Sequence, residues 1–250
     1  MVEIDNDFKK DEISAYTEHG QVKYDRSTMK PLGHGKYGEV YDMGDGQVLK
    51  RFFDKKHVSY SGASGTARVI KTIKNLKLEN IYAIREILYK GKYKLNRDFI
   101  GYVMTKYEPT EIDFTQVDIN YLINNYQSIK RDFIQLANKN IIVRDLHSNN
   151  VIVTQDKIII IDVDNYTKDP FGPKSLGESI NISGLNSLFI KLLVESYFKF
   201  HYDDENCIRK RNYLNENFRQ FPNMIEELKG YSTFDEYLNN KLGLTKSHSM

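Results

Sequence analysis

Apolar residues are arranged differently in the two parts of the chain. From Pro31 to about Glu108 they fall in short runs broken by glycine turns. "GEVYDM", "GDG" and "QVLKRFF" predict strand, tight turn and strand, because Asp-Gly supplies the positive φ that a hairpin demands. "IYAIREILYKGKY" and "DFIGYVMTKYE" predict a second strand pair. Between the pairs, "YSGASGT" (Tyr60 to Thr66) has the composition of a flexible loop. Val69, Ile70, Ile73 and Leu76 then recur at helical spacing. Residues from Met1 to about Lys30 are polar with no strong period, which predicts an irregular arm.

Beyond Glu108 the period lengthens. "INYLINNYQSIKRDFIQLANKN" sets Tyr121, Leu122, Ile129, Phe133, Ile134 and Leu136 along one broad helical face. "ISGLNSLFIKLLVESYFKF" is apolar nearly all round, as a central buried helix is. Ser232 and Asp235 stand at capping-box spacing before a last helix. Between the first two of these helices lies "NIIVRDLHSNNVIV" (Asn140 to Val153), a polar segment flanked by branched apolar runs, followed by "KIIIIDVDNY". There are no internal repeats or low-complexity tracts. The pattern predicts an α+β fold, mostly antiparallel sheet with one helix in the first third and helical thereafter.

Composition narrows the function. At 250 residues and 29.3 kDa the chain can bury a sizeable core. Lys plus Arg number 36 against 34 Asp plus Glu, so no basic field argues for a nucleic-acid partner. No apolar run approaches the roughly 20 residues of a membrane span. The charged start "MVEIDNDFKKDEIS" lacks the apolar stretch of a signal peptide. Cys207 is the single cysteine, which excludes an intrachain disulfide and fits a reducing compartment; an inert, buried thiol is the simpler reading. The six histidines show no metal spacing. A cytoplasmic monomer is expected, in the producing cell or in a host cell that receives it.

Candidate chemistry lies in four places. Gly33, Gly35 and Gly38 form G-x-G-x-x-G, which alone is a weak signal. Here a strand follows it, not a helix, so backbone N–H groups of a glycine turn between antiparallel strands would lie over phosphates. Lys50, on the next strand, would hold α- and β-phosphates; taken singly, a snorkelling surface lysine is the commoner case. The polar segment reads as a catalytic loop on a rigid scaffold. Its Asp145 would accept a hydroxyl proton or orient the attacking oxygen, and Asn150 would bind a metal through its amide oxygen. Asp162, after a buried strand, would hold Mg²⁺ against phosphate oxygens. Each residue singly also fits turn chemistry. Their order and spacing together argue for phosphoryl transfer, which needs mainly positioning and charge neutralisation.

Those residues resemble the protein-kinase-like superfamily over about Met29 to Phe200. "GHGKYGEV" is similar to its G-x-G-x-x-G-x-V loop, "VLK" to its lysine strand, "VRDLHSNN" to H-R-D-L-x-x-x-N, and "DVD" stands where D-F-G is usual. The resemblance implies a bilobal fold: an arm over 1–30, an N-lobe over 31–107 and a reduced C-lobe over 108–250, with ATP and Mg²⁺ as cofactors. It implies that Val40 lines the nucleotide site, that Met104 is the gatekeeper and that Thr105 to Tyr107 form the hinge beside adenine. It also implies a Ser/Thr-type protein kinase acting on a protein substrate.

The chain departs from the pattern in several places. Val143 replaces the catalytic-loop histidine. Asp164 replaces the last glycine of D-F-G, which should stiffen that turn. Asn181 falls where the family's helix has an aspartate. The predicted helix "TARVIKTIKNLKL" has no glutamate for Lys50, and Glu79 and Glu86 fall in loop and strand. No A-P-E follows Asp162, so a long activation segment is missing, as in minimal bacterial kinases of this architecture. Two alternatives stay open. "DLHSNN" with His147 is similar to the loop of aminoglycoside and choline kinases, which take small molecules. A pseudokinase that only binds partners would also fit the missing glutamate. His147, His34 and Tyr37 are expected to be locally bonded or solvated.

Overall fold

In the computed structural model, residues 12–35, 37–53, 62–169 and 172–244 are described. The N-terminal part is a curled antiparallel sheet of seven strands. They are β1 (Glu12–Thr17), β2 (Gly20–Asp25), β3 (Lys30–His34), β4 (Gly38–Gly44), β5 (Gln47–Phe52), β6 (Ile84–Tyr89) and β7 (Phe99–Thr105), in the order β2-β1-β6-β7-β5-β4-β3. The Asp-Gly turn forms as the composition requires: Gly44, Asp45 and Gly46 all have positive φ between β4 and β5. Helix α1 (Gly62–Asn75) packs Val69, Ile70 and Ile73 onto the sheet. On the opposite face Ile13, Ala15, Tyr41, Leu49, Leu88 and Val103 form a separate small core inside the curl.

Two expectations change here. The predicted irregular arm is, from Glu12 onward, a hairpin in register from Glu12↔Asp25 to Thr17↔Gly20, and Tyr16 pairs with Tyr89 of β6. Its buried positions are Ile13, Ala15 and Thr17; alternation carried by one Ile, one Ala and one Thr is too weak to read as a strand. Likewise Gly62 to Thr66, expected as loop, form the first turn of α1, with Ala63 and Thr66 buried. Burial of these small residues overrides poor intrinsic propensity. Tyr60 and Ser61 lie outside the described residues.

The C-terminal part is helical. Its elements are α2 (Ile119–Ala137), β8 (Ile141–Ile142), β9 (Val151–Val153), β10 (Ile158–Ile160), β11 (Thr167–Lys168), α3 (Lys174–Phe200), α4 (Cys207–Glu216), α5 (Phe221–Glu227) and α6 (Phe234–Lys241). The short strands pair β9 with β10 and β8 with β11. Helix α3 buries Leu185, Leu188, Phe189, Leu193 and Tyr197 against α2 and α5. Rings of Tyr126, Phe189 and Phe221 lie 5.4–5.7 Å apart, tilted or edge to face. Cys207 is buried, and its thiol donates to Tyr197 O. The capping box sits one residue later than expected: Thr233 Oγ1 accepts from Glu236 N–H, and Glu236 accepts from Ser232 N–H. Thr233 is the residue with extended backbone at that boundary. No helix among the described residues is long and apolar enough to cross a membrane.

The two parts are stitched together just where β10 hands over to Asp162. Ile160 N–H donates to Asn80 O (2.7 Å) and Tyr82 N–H donates to Ile160 O (3.1 Å). Asn80 Nδ2 donates to Ile158 O, while Ile158 N–H donates to the buried Asn125 Oδ1 of α2. The segment entering β6 thus continues into β10, and both are tied to α2.

Candidate active site

A cavity of about 500 Å³ lies between the sheet and the segments that follow β8 and β10. Strands β3 and β4 supply one wall through Gly33, Gly35, Gly38 and Val40, with Leu32, His34 and Tyr37 beside them. Lys50, Tyr102 and Met104 form the back. The facing wall is Asn149, Asn150, Ile161, Asp162, Asp164 and Asn165. This size is that of a small-ligand or cofactor site.

Strand pairing accounts for the back wall. Lys50 of β5 lies in register between Val40 of β4 and Tyr102 of β7. Its ammonium is 2.6 Å from Asp162 Oδ1 and also pairs with Asp164 Oδ2; its side chain is only 13% exposed. That excludes a snorkelling surface lysine. Burial works against the Lys50 charge, but the Asp164 and Asp162 carboxylates outweigh it and hold the ammonium above the usual lysine range. Burial also opposes ionisation of Asp162, yet Lys50 and bonds from Asp164 keep it below the ordinary carboxylate range. Asp164, fully enclosed, is pushed up to about 7 by burial, only partly opposed by Lys50.

Asp164 was expected to stiffen a turn. Its larger role is in a buried chain of hydroxyls. Tyr102 Oη donates to Asp164 Oδ1 at 2.8 Å, and Tyr82 Oη donates to Tyr102 Oη at 2.5 Å. The two tyrosine rings stack with centroids 5.7 Å apart. The sequence offered one signal for Tyr102: strand alternation puts it on the same face as Met104.

The catalytic-loop candidates converge as well. Asp145 and Asp162 both adopt the left-handed backbone region, at φ 59 and φ 60. Asp tolerates this conformation better than most residues. Asp145 is half-exposed, and its Oδ2 accepts from Asn165 Nδ2 at 2.8 Å. Asn150 is buried; its Nδ2 donates to Asp145 O at 2.8 Å and lies 3.2 Å from His147 Nε2. Asn150 and Asp162 both line the cavity. His147 is locally engaged, 3.4 Å from Asp145 Oδ1. Val143 N–H donates to Asn181 Oδ1, and Asn181 Nδ2 donates to Phe133 O and Ile141 O, so this fully buried amide fixes the start of the loop.

Some expected residues do not meet the cavity. Asp145 stands beside it rather than in its lining. Thr105 N–H is consumed by Ala83 O, and its hydroxyl accepts from Arg85 Nε. Tyr107 packs against the core, with Lys157 Nζ 5.8 Å from its ring centroid. Of Met104, Thr105 and Tyr107, only Met104 lines the cavity. Tyr37 is half-buried against the core rather than solvated, while His34 is exposed and rests on Phe53. The three glycines also separate. A Cβ on Gly38 would collide with the Arg51 carbonyl, whereas one on Gly33 would meet nothing and one on Gly35 would make only an ordinary contact, 3.8 Å from Gly38 O.

The donor set suits a divalent hard cation. Asp162 and the Asn150 side-chain carbonyl would offer oxygen ligands, and no group of three or more His, Cys, Asp or Glu that could hold a metal is found among the described residues. Magnesium held by one or two protein groups and by phosphate oxygens requires no more. The chain matches no known protein-family model and no curated protein sequence.

Proposed function

We propose that the protein is a Mg-ATP-dependent phosphotransferase of the protein-kinase-like type, with the sheet as its N-lobe and the helical part as its reduced C-lobe. The observation that carries the reading is the meeting of Lys50, Asn150 and Asp162 around one cavity walled by the glycine hairpin. Asn150 and Asp162 would hold Mg²⁺, and Lys50 would hold phosphate oxygens. Bound Mg-ATP supplies the phosphoryl group and the metal charge that neutralises it. Asp145 takes up the proton of the acceptor hydroxyl; its exposure leaves it reachable by an acceptor, and Asn165 orients it. Val40 and Met104 supply apolar surface for the base. A Ser or Thr hydroxyl of a protein is the first acceptor proposed. The test is transfer of labelled γ-phosphate into this protein and a generic protein substrate, with Asp145→Asn as control. Transfer that the variant abolishes supports the reading, and transfer equal to that of the variant defeats it.

One feature favours a small-molecule acceptor instead. Only residues 163–173 lie between Asp162 and α3. Beside the catalytic loop an open groove of about 390 Å³ is lined by His147, Ser148, Asn149, Lys191, Glu195 and Asn215. A groove of that size suits an amino alcohol or aminoglycoside better than a polypeptide. ATP consumption stimulated by such compounds, without protein labelling, would select this acceptor class.

A further inference from the structure

The helix that packs behind Lys50 offers it nothing: α1, "GASGTARVIKTIKN", contains no acidic residue. The lysine is nevertheless anchored, and from an unexpected side. Asp164 reaches it from the turn after β10, two positions beyond Asp162. Asp164 is itself held by Tyr102, the residue directly across the β5–β7 ladder from Lys50. Tyr82, just before β6, donates to Tyr102 and so extends the chain of hydroxyls that leads to Asp164. Lys50, Tyr102, Tyr82 and residues 162–164 are thus one interlocked unit built from β5, β7, the lead-in to β6 and one turn.

We propose that Asp164 is the positioning residue that orients Lys50 for phosphate, in place of a carboxylate from the helix, with Tyr102 and Tyr82 as its supports. The proposal rests on the phosphotransfer reading for the purpose of that orientation. A carboxylate buried beside a lysine is costly unless the pair has a fixed geometry and further hydrogen bonds; the two tyrosines provide them. Anchor and metal ligand share one turn, so the lysine needs no carboxylate from α1, which packs against that same turn.

The test uses Asp164→Asn, which keeps side-chain size, and Tyr102→Phe, which removes only a hydroxyl, in the full chain. The first readout is free of nucleotide. Lys50 is modified with limiting acetic anhydride and scored by peptide mass spectrometry against the exposed Lys199. Expected is slow modification in the wild type, a several-fold faster one in Asp164→Asn, and a smaller gain in Tyr102→Phe. The second readout is steady-state phosphoryl transfer. Loss of the anchor lowers kcat by about 100-fold, with KM for ATP shifting much less. If Asp164→Asn does not fold, Tyr102→Phe decides by the same two readouts. Lys50 modification and kcat at wild-type values in the folded variants would overturn the proposal. A wild type that transfers no phosphate, but whose Lys50 is released by Asp164→Asn, would instead sink the phosphotransfer reading while leaving the anchor intact.

Discussion

Lys50 Nζ lies 2.6 Å from Asp162 Oδ1 although 112 positions separate the two residues. The contact requires three long-range arrangements at once. Strand β5 must sit between β4 and β7, β10 must bond to the Asn80–Tyr82 segment, and Asp162 must take left-handed backbone to turn its carboxylate back toward the sheet.

Removing the cation exposes the cost of that corner. Lys50→Met leaves Asp162 and Asp164 facing each other without a counter-charge, so destabilisation of about 3 kcal/mol is expected at pH 8. Without Lys50 both carboxyls bind protons more readily, and protonation near pH 5 relieves their repulsion. The loss should therefore shrink as pH falls, as urea unfolding at the two pH values would show.

Asn181 gives a test of loop support. Its oxygen accepts from a backbone N–H and its nitrogen donates to two carbonyls. A carboxylate there cannot donate, so Asn181→Asp faces two carbonyl oxygens with none of the required protons. It should cost more than Asn181→Ala, which loses about 1–3 kcal/mol by leaving buried groups unpaired. Thermal unfolding of both variants ranks them; an Asp variant as stable as wild type would contradict the assigned bonds.

The glycines predict a dissociation of stability from binding. Gly38→Ala should destabilise the sheet, because its Cβ meets the Arg51 carbonyl. Gly33→Ala meets no atom and should leave the melting temperature unchanged, while weakening nucleotide binding if the hairpin wall lies close to phosphates. Equal effects on both properties in both variants would argue against this division.

A carboxylate away from the cavity provides a pH test. Asp132 on α2 is buried, and burial raises its pKa despite the bonds it accepts from Asn80 and Glu79 N–H. A raised folded-state pKa means that the native state binds this proton more tightly than the unfolded chain. The associated stability is present below the unfolded value and lost as pH rises through the folded one. Asp132→Asn keeps an acceptor without the charge. Its melting temperature should gain on the wild type as pH goes from 4 to 7, by differential scanning calorimetry.

Legibility in the sequence followed signal strength. The β4–β5 hairpin announced itself through Asp-Gly, and α3 through an apolar surface too broad for anything but a buried helix. Lys50, Asn150 and Asp162 stood out as candidates because such residues are rare in that order, and the fold brings them to one cavity. The β1–β2 hairpin was not, since Ala15 and Thr17 bury without looking hydrophobic. Nor was the partner of Lys50: α1 carries no glutamate, and Asp164 is brought in by tertiary folding that no local pattern encodes. Thr105 and Tyr107, expected beside adenine, lie outside the cavity lining: Thr105 N–H donates to Ala83 O, and Tyr107 packs against the core.

The most direct test of the central claim is equilibrium titration of the wild type, Lys50→Met and Asp162→Asn with ATP, with and without Mg²⁺, read by calorimetry. The account predicts wild-type binding that Mg²⁺ strengthens, weaker binding in Lys50→Met under both conditions, and loss of the Mg²⁺ effect in Asp162→Asn. A wild type that binds no ATP with Mg²⁺ present, or three proteins with the same affinity and the same Mg²⁺ response, would contradict it.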